Sequence, residues 1–137
     1  MSEALRGWRA WHVVERKDGL TLLSWAHATA WPALRALEAR CNRHGRPAKE
    51  HSCGLYAFDA LEDALAYAQP HRPGLFRERA LGVVVGAVSG WGRVIHHTRG
   101  WRSQFAYPYD LYLTSGDRAL ARAIADRYAV ETSPFPP

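Results

Sequence analysis

Large apolar residues alternate with others from the start of the chain. Trp8 and Ala10 lead into Val13-Val14, Lys17-Asp18-Gly19 is a turn signal, and Leu20 to Leu23 resumes a strand-like run. Residues 8 to 25 are therefore expected to form a β-hairpin. Pro32 suits a first helical position, and Leu34, Leu37 and Cys41 repeat at three and four, which predicts a short amphipathic helix over 32–42 ended by Gly45-Arg46-Pro47. Gly54 to Phe58 is a short β-prone run. Asp59 follows as a helix cap with Glu62 in the capping-box position, so a helix is expected over 60–68 before a loop at 70–74.

From Leu81 to Ile95, Val83, Val85 and Ala87 interleave with Val84, Gly86 and Val88, the pattern of one long strand bent or bulged at Gly86, Gly90 and Gly92. Thr98-Arg99-Gly100 turns the chain back into a strand over 101–107, with a further short strand at 111–113. Ser115 is placed to cap a last helix over 117–128, on which Leu120, Ile124 and Tyr128 recur at four, and Val130 to Thr132 adds an edge strand. Hairpins separated by two to three short helices imply an α+β fold with a mainly antiparallel sheet.

At 137 residues the chain suits a single domain over 1–137, with a flexible tail expected at 133–137. Its hydrophobic and charged fractions, 47% and 23%, exclude wholesale disorder. The run from Ala80 to Trp91, broken by three glycines, falls well short of the ~20 apolar residues of a membrane-spanning helix. With no secretory signal in the opening residues, the expected location is the cytoplasm. Of the 18 basic residues only Lys17 and Lys49 are lysine. Arginine suits phosphate, carboxylate and aromatic faces, and a GC-rich genome also produces such a skew.

Both cysteines and two histidines fall in one short window, Cys41-x2-His44-x6-His51-x-Cys53. Cys41 and His44 share a face near the end of the expected helix, and His51 and Cys53 point the same way on the approach to a strand. Four such ligands suit tetrahedral zinc in a closed, structural site. Two other readings stand beside it. The cysteines are core residues among surface histidines, or they form a disulfide, which a cytoplasmic chain disfavours.

Cys53-Gly54-Leu55-Tyr56-Ala57, Gly86-x-Val88-x-x-Trp91-Gly92-x-Val94 and Gly100-Trp101-Arg102-Ser103-x-x-Ala106-Tyr107-Pro108 together resemble a family of small bacterial proteins with no established activity. The resemblance spans roughly residues 25 to 130. In that family a Cys, a His-x-x-Pro and a Cys-x-Cys precede the strand. Cys41, His44-Gly45-Arg46-Pro47 and Cys53 match, while His51 stands at the first position of Cys-x-Cys, where imidazole can replace thiolate on zinc. The resemblance thus implies an architecture and a metal site. The strand Gly54 to Phe58 with its following helix also looks like part of the ADP-ribosyltransferase core, for which His12 and Glu131 are the nominal catalytic pair.

Gly86-x-x-x-Gly90-x-Gly92 lacks the dinucleotide-binding spacing, and no P-loop, G-x-S-x-G or H-E-x-x-H occurs. Between Trp91 and Tyr109 the chain carries Arg93, Arg99, Arg102, His96 and His97 and no acidic residue. Trp91, Arg93, His96, Trp101, Arg102 and Tyr107, with Tyr109 and Tyr112, are the candidate surface for an anionic partner, either single-stranded nucleic acid or another protein. Alternatively, Trp91 and Trp101 face one another across a hairpin or pack into the core. Arg102 then needs a partner such as Asp110. The expected function is a small binding or adaptor module with a structural zinc, the alternative an enzyme of ADP-ribosyltransferase type.

Overall fold

The computed structural model describes residues 4–25, 29–39, 53–68 and 79–135. In chain order its elements are β1 (Leu5–Arg16), β2 (Gly19–Ser24), β3 (Ala30–Trp31), β4 (Leu37–Glu38), β5 (Leu55–Phe58), α1 (Leu61–Tyr67), β6 (Gly82–His97), β7 (Gly100–Leu113), α2 (Arg118–Tyr128) and β8 (Glu131–Pro134). The α+β class and the predominantly antiparallel sheet are as expected, and two helices lie among the described residues.

β6 and β7 form the long central hairpin, and β1 lies antiparallel along β6 from Leu5 opposite Gly90 to Val13 opposite Gly82. The other edge of β1 carries β2 from Trp11 onward, and β3 extends beyond β2. The outer edge of β7 takes β5, β4 and the parallel β8 in turn. β5 also meets β1 through one pair, Trp8 with Phe58. That pair curls one end of the sheet into a ring of β1, β6, β7 and β5.

Both faces of the sheet are covered. Trp11 and Val13 share a cluster with Val84, Leu111, Leu113 and the α2 residues Ala121, Ile124 and Tyr128. Ala10 and Val85, one position out of phase, join Trp25 and the α1 residue Ala64. Alternate residues of a strand face opposite ways, and a strand buried on both faces reads as a continuous apolar run. This is why Val83 to Val88 shows no polar alternation. The bends expected in β6 are register shifts at Ala87/Val88 and Trp91/Val94, and Gly92 within the second has a φ of 79°. Gly7 and Gly90 flank the Trp101 ring, where any side chain would collide with it.

Four local expectations are corrected. No helix forms over the described part of 32–42, residues 32–39, and residues 40–42 lie outside the described residues. Tertiary hydrogen bonds take the groups a helix would use. The Trp31 carbonyl accepts from the Tyr128 hydroxyl at 2.6 Å, Leu34 adopts a left-handed φ of 66° and donates its N–H to the Tyr107 hydroxyl, and Leu37 pairs with Ala106. The strands expected at 101–107 and 111–113 are one strand, because Pro108 sits at the first register shift, where the ladder is already interrupted. The N-cap of α1 is Ala60 without a side-chain cap, since Asp59 is drawn to the 98–99 turn and donates its N–H to the Arg99 carbonyl. The cap of α2 is Asp117, whose carboxylate accepts from Leu120 N at 3.0 Å, while Ser115 lies one step further out.

β8 reaches Pro134, and Phe135 donates its N–H to the Leu113 carbonyl, so the sheet takes in the first part of the segment expected as a tail. The loop expected at 70–74 lies outside the described residues. No helix among the described residues is long and apolar enough to cross a membrane.

Candidate anion-binding site

β2 leaves β1 after the Trp11–Ser24 pair, and β5 reaches β1 only at Trp8. Between those two contacts the edge of β1 carries Arg9 and Ala10, and β5 diverges from it toward β7. A cavity of about 350 Å³ occupies this divergence. Trp25, Tyr56, Phe58, Tyr67 and Trp101 give it aromatic walls, while Ala10, Ala57, Gly54 and Gly100 keep the space between them open. Ser24, Thr29, His97 and Arg9 supply its polar groups.

Arg9 bridges the gap. Its Nη1 donates to the Tyr56 carbonyl at 2.9 Å and its Nη2 to Ser24 Oγ at 3.1 Å. The guanidinium lies over the Trp31 ring at 4.6 Å and the Trp11 ring at 5.6 Å, and such cation–π contacts offset part of the loss of hydration. Burial lowers its pKa to about 10, the neighbouring Tyr67 hydroxyl opposing the shift. The group therefore remains charged at neutral pH. Among the described residues it pairs with no carboxylate, the ion pairs there being Arg99–Asp63 and Arg127–Asp18.

Two buried donors beside this cavity lack an acceptor among the described residues. Arg9 Nε is shielded from solvent with no acceptor among the described residues, as is Trp25 Nε1. Ser24 Oγ accepts from both Arg9 Nη2 and Trp31 Nε1, at 3.1 and 2.8 Å, which leaves its hydroxyl proton to donate elsewhere. No aspartate or glutamate among the described residues lines the cavity. A buried donor without an acceptor costs about 1–3 kcal/mol. Two such donors, one of them on the positive charge itself, stand beside the cavity.

Behind the cavity, His12 stacks on Trp25 with ring centroids 3.8 Å apart. Burial lowers its pKa below the ordinary 6.5. The unfolded chain takes up this proton before the folded one does, so the stability due to neutral His12 is complete above about pH 6.5 and is lost as pH falls through the depressed folded value. Urea denaturation between pH 7 and 5 is expected to show a decline of up to about 1.4 kcal/mol per pH unit from this group. His12→Phe should flatten that decline, and identical profiles for the two proteins would remove His12 as its source.

The residues expected to form one Arg and aromatic surface are dispersed. Trp91 stacks on Phe105 rather than meeting Trp101. Arg93 and His96 are exposed. Trp101 is 2% exposed, donates from Nε1 to the Arg6 carbonyl and lines the cavity. Arg102, also 2% exposed, donates from Nη1 to the Cys53 carbonyl at 2.6 Å and from Nε to His97 Nε2 at 3.1 Å. Asp110 accepts instead from the Tyr112 hydroxyl, and that bond, more than burial, raises the Tyr112 pKa. Tyr107 faces Tyr128 and donates to its carbonyl. Tyr109 is exposed beneath Arg6.

Of the expected zinc ligands, Cys41, His44 and His51 lie outside the described residues, and Cys53 has intermediate exposure. Among the described residues no three histidine, cysteine or acidic side chains gather to hold a metal. His12 is buried against Trp25, while Glu131 is exposed at the start of β8, beyond β7. Arg9 was not among the residues singled out from the sequence. Its signal was there: in Trp8-Arg9-Ala10-Trp11-His12-Val13 it shares the core-facing phase of Trp11 and Val13, where a charge is rare without a partner. Compared with protein-family models, curated proteins and solved structures, the chain matches none.

Proposed function

We propose that the protein is a small binding module for an anionic partner, and that Arg9 is the group that receives the anion. The observation that carries this reading is a charged guanidinium with no carboxylate partner among the described residues, set in a cavity wall beside donors that lack acceptors. Keeping such a charge half-buried in a cavity wall costs stability, and a bound oxyanion offsets the cost. The exposed Arg93 in the β6–β7 hairpin adds positive potential. The cytoplasm is the proposed location, and single-stranded nucleic acid remains the macromolecular form of the partner.

Thermal unfolding in matched ionic strength tests the reading, with phosphate, carboxylate salts and a short single-stranded oligonucleotide each replacing chloride. At least one anion is expected to raise the wild-type midpoint and to leave Arg9→Met unmoved, since mass action stabilises only the form that binds. Equal shifts in both proteins, or none in either, reject it.

A structural zinc held by Cys41, His44, His51 and Cys53 is proposed alongside, supported by the ligand spacing and by the match to the bacterial motif. Such an ion would tie the segment before β5 to that strand. Metal analysis of the purified protein is expected to find about one zinc per chain, lost in Cys41→Ser. A metal-free wild type rejects the site.

A further inference from the structure

Resting on the anion-binding reading, we infer that the cavity beside β1 takes a small flat carboxylic acid, one aromatic ring system bearing a single carboxylate. Size is the first argument. About 350 Å³ is the room of roughly a dozen water molecules, at the small end of ligand cavities. One ring system and its acid are of a size to fill such a space.

The walls give the second argument. Trp25, Tyr56, Phe58, Tyr67 and Trp101 offer ring faces and edges, and aromatic pairs gain from offset or edge-on contact beyond simple burial. Gly54, Gly100, Ala10 and Ala57 project little between them, so a flat guest has room to slide in.

Charge sets the number of acidic groups. Arg9 is the one arginine or lysine among the described residues lining the cavity. His97 also lines it, but His97 Nε2 already accepts from Arg102 Nε. A second acidic group on the guest would be buried without a counter-charge.

Geometry selects carboxylate. Nη1 and Nη2 of Arg9 each give one N–H, to the Tyr56 carbonyl and to Ser24 Oγ, and the guanidinium lies over the Trp31 ring, so the fork is fixed before any guest arrives. The second N–H of Arg9 Nη2 and the Ser24 hydroxyl proton remain as donors. A carboxylate brings two oxygens in one plane, one for each donor. A preformed site of this kind loses little entropy on binding.

Calorimetry on the full chain at neutral pH tests this with benzoate, 2-naphthoate, benzamide, acetate, inorganic phosphate and a single-stranded oligonucleotide. One of the two aromatic acids is expected to bind at least about tenfold more tightly than benzamide or acetate. Arg9→Met should weaken that acid by roughly ten- to a hundredfold while leaving benzamide unchanged, as befits a lost charged hydrogen bond. Tyr56 is 47% exposed, so Tyr56→Ala keeps the fold and carries the test should Arg9→Met fail to fold. It should weaken the aromatic acid and spare acetate.

Acetate or phosphate binding as tightly as the aromatic acids, and losing affinity in Arg9→Met, overturns the ring requirement but leaves the anion site standing. An oligonucleotide that binds more tightly than either acid and depends on Arg9 replaces the small acid with nucleic acid. If no probe binds, or all bind Arg9→Met as well as wild type, this inference and the anion-binding reading fall together.

Discussion

Tyr128→Phe removes one oxygen atom and is expected to destabilise the fold by about 2–4 kcal/mol, because it orphans two buried backbone groups at once. The hydroxyl accepts the Leu22 N–H at 2.9 Å and donates to the Trp31 carbonyl at 2.6 Å. Leu22 and Trp31 are themselves a cross-strand pair, so the last residue of α2 pins β2 and β3 together from above. The Tyr128 carbonyl in turn accepts from Tyr107 on β7 at 2.8 Å, which leaves the phenylalanine ring well placed to pack as the tyrosine ring does. Packing is therefore conserved, and the change isolates the hydroxyl. Urea denaturation should show a lower midpoint with an unchanged slope.

The same burial raises the Tyr128 pKa, with the bond from Leu22 opposing. Its contribution is complete below about pH 10 and is lost as pH rises toward the raised folded value. The gap between wild type and Tyr128→Phe should accordingly narrow in strong base. A loss under about 0.5 kcal/mol at neutral pH would mean that Leu22 and Trp31 find other partners.

The sheet was legible because strand and turn signals are local. Lys17-Asp18-Gly19 and Thr98-Arg99-Gly100 mark both hairpins, and the helices at 60–68 and 117–128 carry their own periodicity. The segment 32–39 was misread because Pro32, Leu34 and Leu37 satisfy a helical template, while its hydrogen bonds go to Tyr107, Tyr128 and Gln104, far along the chain. Spacing carries no information about such partners. The Arg and aromatic stretch from 91 to 109 failed as one surface for a related reason. Sequence adjacency places Trp101 and Arg102 side by side, yet a strand sends neighbours to opposite faces. Trp101 is enclosed by Gly7 and Gly90, and Arg102 by Gly54, Cys53 and His97. The cavity joins β1, β2, β5, α1, β6 and β7, and β5 enters the β1 ladder only at the Trp8–Phe58 pair. Only the odd placement of Arg9 in a core-facing phase hinted at it.

That closure makes the second large effect testable by one methyl group. At Gly100 an added Cβ would lie 1.9 Å from the Ala57 carbonyl oxygen and 3.0 Å from Phe58 Cα, both backbone atoms that cannot rotate aside. Gly100 pairs with Phe58 on one side and His97 on the other, so the strand is held from both edges and β5 must move instead. Since β5 joins the β1 ladder at Phe58 alone, displacing it opens the ring of strands and pulls Tyr56 away from Arg9. Gly100→Ala is expected to cost about 3 kcal/mol or more, the upper range for overpacking against backbone. Gly116 is the matched control: nothing lies within 4 Å of its added Cβ, and Gly116→Ala should stay within about 0.5 kcal/mol of wild type. Ligand affinity should fall with Gly100→Ala and hold with Gly116→Ala, because β5 is both a wall of the cavity and the strand that closes the sheet on β1. Stability retained in Gly100→Ala would show that β5 yields without strain, and the cavity would then not depend on the Phe58–Trp8 contact.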